Sequence, residues 1–238
     1  MPTKKQIDEA VAEFCADVVQ EPLLYFSEAD LQQILTEKLR RIPELARLVD
    51  TGLERGKGSN AKYRTSLIHR EYGAGESRRW DIAILDPKDV AQVERTNLDL
   101  GPQKYLPPVF AFELGTEKVA NIEEHLKKDL EKVESASGHG YIIHIFRDTN
   151  RSASPGLVER KEKTRPKPQI QKFLEEYWSA PRPNQSLVAI ILRTERKVQK
   201  MWGKCEVCID PTQSTWKKVN VGDREKITME IKKALGTK

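Results

Sequence analysis

The chain has 238 residues, 38% hydrophobic and 32% charged, with a formal net charge of +5. A chain of that size and apolar content supports a single decorated domain with its own core and excludes a disordered one. No apolar run approaches the roughly 18 residues of a membrane span, and the N-terminus MPTKKQIDEAVAEF lacks the apolar stretch of a signal peptide, so no membrane association and a cytoplasmic location are expected.

Along the chain, Ile7, Val11, Phe14 and Val18 recur at helical spacing over Lys4 to Val19, and Pro22 breaks that helix. Ser27 with Asp30 resembles a capping box, which predicts a helix from Glu28 to Arg41 with Leu31, Leu35, Leu39 and Ile42 on one face. Thr51 to Ala61 is polar and glycine-bearing and is expected to be a loop. Tyr63 to Tyr72 reads as a strand, and the turn Gly73 to Ser77 joins it to a second strand, Arg79 to Leu85, that Asp86-Pro87 ends. Lys88 to Pro108 is polar and closes on two prolines, so it is expected to be loop. Val109 to Leu114 (VFAFEL) is a short apolar strand of the kind buried on both faces, ended by Gly115. A helix is predicted from about Glu117 to Ser135, with Val119, Ile122, Leu126, Leu130 and Val133 as its buried stripe and Gly138 and Gly140 after it. Tyr141 to Phe146 (YIIHIF) is another buried strand.

Asp148 to Gln169 reads as a basic loop carrying Arg151, Arg160, Lys161, Lys163, Arg165 and Lys167. Beyond it come a short helix near Gln169 to Trp178, a strand from Leu187 to Leu192, strands around Val207 to Ile209 and Trp216 to Val221, and an amphipathic helix from Asp223 to Leu235. Cys15, Cys205 and Cys208 are too few for a disulfide framework, and the lone C-x-x-C reads as structural thiols.

The central order is helix, strand, strand, strand, helix, strand. The hairpin calls for antiparallel neighbours, and a helix between VFAFEL and YIIHIF calls for a parallel βαβ unit. The expected fold is α/β, a mixed sheet flanked by helices in one domain over residues 1–238. Its core lies at about 26–147 and a C-terminal α/β extension at about 167–238.

Two acids interrupt this apolar framework. Alternation along a strand puts Asp81 with Ala83 and Leu85, opposite Trp80, Ile82 and Ile84, and puts Glu113 with Val109 and Ala111, opposite Phe110, Phe112 and Leu114. A carboxylate in an apolar strand is costly unless paired or bound to a cation, and two on neighbouring strands would repel. Such an oxygen pair suits Mg²⁺ or Mn²⁺, which can polarise a phosphodiester and activate water. Pairing of Asp81 with Arg78 or Arg79, or of Glu113 with Lys118 or an arginine, are the structural alternatives.

Asp81 at the head of one strand, Glu113 in the next, then a helix and a further strand make the stretch from Phe26 to Arg147 resemble the PD-(D/E)XK superfamily, proteins with the restriction-endonuclease-like fold. The helix segment HLKKDLEKVES is similar to the family's helix after the catalytic strand. The resemblance implies a Mg²⁺-dependent nuclease acting on DNA, with Asp81, Glu113 and the backbone carbonyl of Leu114 on the metal. It also implies Glu28, early in the preceding helix, as support for a second metal or a bound water. The family pattern puts Lys two residues after the Glu, where this chain has Gly115. Lys118 is the nearest replacement, with Lys127 and Lys128 as further options.

His125 and Asp129, four apart on one helix, are expected at the solvated edge of the apolar stripe, and His144 as a hydrogen-bonded core histidine. The basic loop, with Arg193, Arg196, Lys197, Lys200, Lys204 and an interleaved Trp202, could track a phosphate backbone, and the sequence pI of about 9.0 permits that partner. Two other roles stay open: a catalytically inactive nuclease-fold protein that binds nucleic acid or serves assembly, and a nuclease subunit that works as a homodimer or with a partner.

Overall fold

The computed structural model describes residues 1–21, 27–55, 60–73, 79–93, 106–116, 121–150, 166–195 and 204–237. Helix α1 (Lys4–Gln20) opens with a capping box between Thr3 and Gln6 that the sequence reading passed over. Helix α2 (Glu28–Leu39) carries the expected box: Ser27 N–H donates to Asp30, and Asp30 N–H donates to the Ser27 hydroxyl. It stops before Arg41 because Pro43, at the first turn of α3 (Pro43–Ala46), keeps Ile42 extended.

The region expected to be a loop after α3 begins instead with strand β1 (Val49–Glu54), paired antiparallel with β2 (Lys62–Thr65) in a small two-stranded sheet. Val49, Thr51 and Leu53 alternate with Asp50, Gly52 and Glu54 along it, a short pattern that the glycine masks. Gly52 is needed there, since a Cβ would lie 2.5 Å from the Val93 carbonyl oxygen. The single strand predicted over Tyr63 to Tyr72 is therefore two, broken where the Ser66 hydroxyl accepts from Ile68 N–H, before β3 (Ile68–Gly73).

Next come β4 (Arg79–Ile84), a short helix α4 (Pro87–Ala91) within the expected loop, and β5 (Phe110–Thr116). Helix α5 (Ile122–Glu134) leads to β6 (His139–Asn150), and α6 (Pro166–Tyr177) to β7 (Gln185–Glu195). Strands β8 (Lys204–Asp210) and β9 (Thr215–Asn220) and helix α7 (Arg224–Ala234) complete the chain. Among the described residues, β3 to β9 form one seven-stranded sheet in chain order. The β5–β6 and β6–β7 pairs are parallel and the others antiparallel, so the protein is a mixed α/β fold with helices on its sheet.

Strands β6 and β7 send alternate residues to two separate cores. Phe110, Phe112 and Leu114 of β5 and Tyr141, Ile143 and Ile145 of β6 pack with α1, α2 and α7 in the first. Ile142 and Phe146 of β6 and Leu187, Ala189 and Ile191 of β7 meet the apolar stripes of α5 and α6 in the second. Cys205 lies in the first core and Cys208 in the second, so the C-x-x-C sulfurs sit on opposite faces of the sheet. Burial pushes both thiols up to about 12. No helix among the described residues is long and apolar enough to cross a membrane.

Candidate metal centre at the strand fork

Strands β4 and β5 pair through Ile84 with Phe110, Ala83 with Ala111 and Ile82 with Phe112, and the pairing ends there. One further step in that register sets Asp81 across from Glu113. The ladder is replaced at this point by the Asp81 side chain, whose Oδ2 accepts from Leu114 N–H at 2.6 Å. Gln32 of α2 donates to the other oxygen at 3.3 Å and to Glu71 at 2.6 Å. Glu71 sits opposite Asp81 in the β3–β4 register with left-handed backbone, φ 50°, a conformation uncommon outside glycine.

Asp81 and Glu113 are both buried, at 8% and 2% exposure. Arg79 pairs with Glu71 at 3.5 Å, not with Asp81. Glu113 does have a cationic partner, and it is none of the lysines the sequence reading named. Lys132 of α5 donates to Glu113 Oε2 at 2.6 Å, while Oε1 is buried without a hydrogen-bond partner among the described residues. Lys127 instead lies over the Tyr177 ring and Lys128 pairs with Glu124 at 3.0 Å. Lys118 lies outside the described residues, as do Arg78, the basic segment 151–165, Arg196, Lys197, Lys200 and Trp202. The indole N–H of Trp80 donates to the Lys132 carbonyl at 3.0 Å, which pins that turn of α5 to β4.

Asp129 is not at a solvated edge, whereas the His125 side chain is partly exposed. Asp129 is 1% exposed because His144 of β6 meets it, with Nε2 at 2.8 Å from Asp129 Oδ2, and His125 Nε2 lies 3.7 Å from Oδ1. His144 is the hydrogen-bonded core histidine expected, but it belongs to this cluster as well. Lys132 lies 3.9 Å from Asp129, so it stands between the two acids.

The electrostatics follow from four carboxylates gathered around one lysine. Burial raises Asp81 to about 7, against the Leu114 amide that lowers it, and Glu28 adds to the rise. Burial and the charges of Asp81 and Asp129 push Glu113 upward despite Lys132. Glu28, half-buried at the start of α2, is raised by burial and then by Asp129 and Glu71, which places it within the same field. Burial alone would raise Asp129, but the His144 hydrogen bond and the nearby cationic groups bring it below its ordinary value. Burial opposes the charge on Lys132, yet Glu113, Asp129 and Asp81 outweigh it and raise its pKa.

Of the residues expected at the site, Asp81 and Glu113 meet, Glu28 lies close enough to feel them, and Leu114 contributes through its amide. Lys132, Gln32, Asp129 and His144 join them. Asp129 and Lys132 lie three apart and so share one flank of the helix, but nothing in the sequence shows that this flank meets the sheet. Comparison of the chain with family models, with curated proteins and with solved structures finds no match in any of the three.

Proposed function

We propose that the protein is a divalent-metal-dependent nuclease of the restriction-endonuclease-like type, acting on DNA, with Asp81 and Glu113 as metal ligands. The observation that carries this reading is the buried Oε1 of Glu113, unpartnered among the described residues, beside a second buried carboxylate, a donor set that suits Mg²⁺ or Mn²⁺. Bound there, such an ion would polarise a phosphodiester and lower the pKa of an attacking water. Asp81 is held for this task by the Leu114 amide and Gln32, which leave little freedom to its carboxylate. The Leu114 carbonyl is the expected third ligand, and Glu28 would orient a water or serve a second ion.

Lys132 takes the part that the PD-(D/E)XK pattern gives to a lysine at position 115. Its ammonium is kept protonated by Glu113 and Asp129 and would offset negative charge on a phosphate drawn to the fork. The place of the missing side chain is already taken, because a Cβ on Gly115 would lie 2.2–2.4 Å from three ring atoms of His144. The net charge of +5 and the basic stretches before and after β7 in the sequence favour a polyanionic partner.

The test is incubation of the purified protein with plasmid, linear and branched DNA in Mg²⁺ or Mn²⁺. Cleavage is expected, abolished by Asp81→Ala and Glu113→Ala and reduced at least about 100-fold by Lys132→Ala. Lys118→Ala, the competing candidate, should leave the rate within a few-fold of wild type. Cleavage of none of the three substrates, or cleavage indifferent to Asp81→Ala and Glu113→Ala, would overturn the reading and leave a catalytically inactive binding or assembly role.

A further inference from the structure

Beside the fork lies a second group of donors that the nuclease reading does not use. One atom each from His125, Asp129 and His144 can be chosen so that all lie within 4.8 Å of one another. The approaches of Nε2 of His144 and of His125 to the Asp129 carboxylate, 2.8 Å and 3.7 Å, bracket the separation of about 3 Å between neighbouring ligands whose bonds to an ion are about 2.1 Å. The group is built from two elements that the fold fixes against each other: two positions of α5 one turn apart, and one of β6.

A second observation is independent of that spacing. Nδ1 of His144 and Nδ1 of His125 are both buried without a hydrogen-bond partner among the described residues, and His144 is 0% exposed. A buried imidazole nitrogen with no partner is costly, and each ring gives an ion one nitrogen only: an ion held at Nδ1 would satisfy that orphaned atom, whereas one held at Nε2 would take over the contact with Asp129. The backbone also makes room for the His144 ring: it occupies the volume that any side chain at position 115 would need. Gly115 and His144 are a matched pair, so the departure from the lysine pattern and the presence of an imidazole here have one steric origin.

From these features we infer that His125, Asp129 and His144 form a separate cation site that takes a first-row transition ion such as Co²⁺, Ni²⁺ or Zn²⁺ in preference to Mg²⁺. Two imidazoles and one carboxylate are the ligands such ions favour, whereas Mg²⁺ favours oxygen alone. The all-oxygen pair Asp81 and Glu113 and the imidazole group thus differ in the ions they select, and Lys132 stands between them, 2.6 Å from Glu113 and 3.9 Å from Asp129. The inference concerns binding alone and holds whether or not the fork cleaves DNA.

The experiment is a titration of the full chain with Co²⁺ in excess Mg²⁺, followed by visible absorption and calorimetry. About one equivalent should bind with the spectrum of nitrogen-ligated cobalt. His125→Ala and Asp129→Asn should each weaken it at least about tenfold while far-ultraviolet circular dichroism is unchanged. Gly115→Ala, which removes no ligand but displaces the ring, should weaken it too, and Asp81→Asn should not. No Co²⁺ binding by the folded wild-type chain would overturn the inference. So would binding that Asp81→Asn abolishes and His125→Ala leaves intact, an outcome that would assign the ion to the fork and leave the nuclease reading standing.

Discussion

At the level of single residues, the acids at the fork carry a definite cost that pH should reveal. Asp81 titrates near 3.8 in the unfolded chain and about 7 in the folded one. Between those values the folded chain holds a proton that the unfolded chain has released, so this group's contribution to stability falls as pH rises. His139, lowered to about 4 by burial and then by the Lys4 charge, runs the other way and costs stability as pH falls below 6.5. Asp81→Asn separates the two. Its stability relative to wild type, measured by urea unfolding without divalent ions, should be level near pH 4, climb toward pH 7 and then flatten. Added Mg²⁺ should shrink that gap by stabilising the ionised carboxylate. A gap that does not change with pH would show that Asp81 is not held in its neutral form by burial. Asp81 and Glu113 were legible in the sequence because a lone acid among Trp80, Ile82, Phe112 and Leu114 has few other uses. Lys132 was not, because HLKKDLEKVES offers several lysines and only the rotation of the helix decides which one meets the sheet.

At the level of elements, the site depends on how closely α5 lies against β5 and β6. Gly140 sets that distance: a Cβ there would lie 2.4 Å from Cβ of Val133, the residue after Lys132. Gly140→Ala should therefore cost about 1–3 kcal/mol in urea unfolding and lower any Lys132-dependent cleavage, because the displaced turn carries the ammonium away from Glu113. An unchanged midpoint would mean that the helix can shift freely. The strands nearest the site were read close to their true positions, since VFAFEL and YIIHIF are apolar on both faces. Their ends were read less well. Strand β6 runs on to Asn150 because its polar end still pairs with Glu195 of β7, and hydrogen bonds between backbones leave no mark in hydropathy. Strand β1 was missed for another reason: Val49, Thr51 and Leu53 do alternate with polar residues, but Gly52 and the glycines that follow read as a turn. Asp129 was misread as solvated because its partner, His144, comes from a strand fifteen residues away, and no periodicity along the helix announces it.

At the level of the whole molecule, the first and last helices close the core that backs the fork. Asp8 is buried and accepts from Lys4 at 2.7 Å, the Tyr141 hydroxyl at 2.8 Å and the Thr237 hydroxyl at 2.6 Å, which joins α1, the sheet and the end of α7. Asp8→Ala would strand the buried Tyr141 hydroxyl and should lower stability by about 3 kcal/mol, read as a drop in the midpoint of thermal or urea unfolding. A variant as stable as wild type would show that water replaces the carboxylate freely. The mixed order of the sheet was legible from one hairpin and one crossover, but the division into two cores was not, since it depends on which face each helix takes. That division gives the chain a built-in pair of chemical probes. Cys205 and Cys208, three residues apart and almost wholly shielded, are reached by a thiol reagent only when the layer above each one lifts. In variants that keep one of them, the rates of labelling would time separately the breathing of the α1–α2–α7 side and of the α5–α6 side, and so tell whether the helix bearing Lys132 is the first to leave.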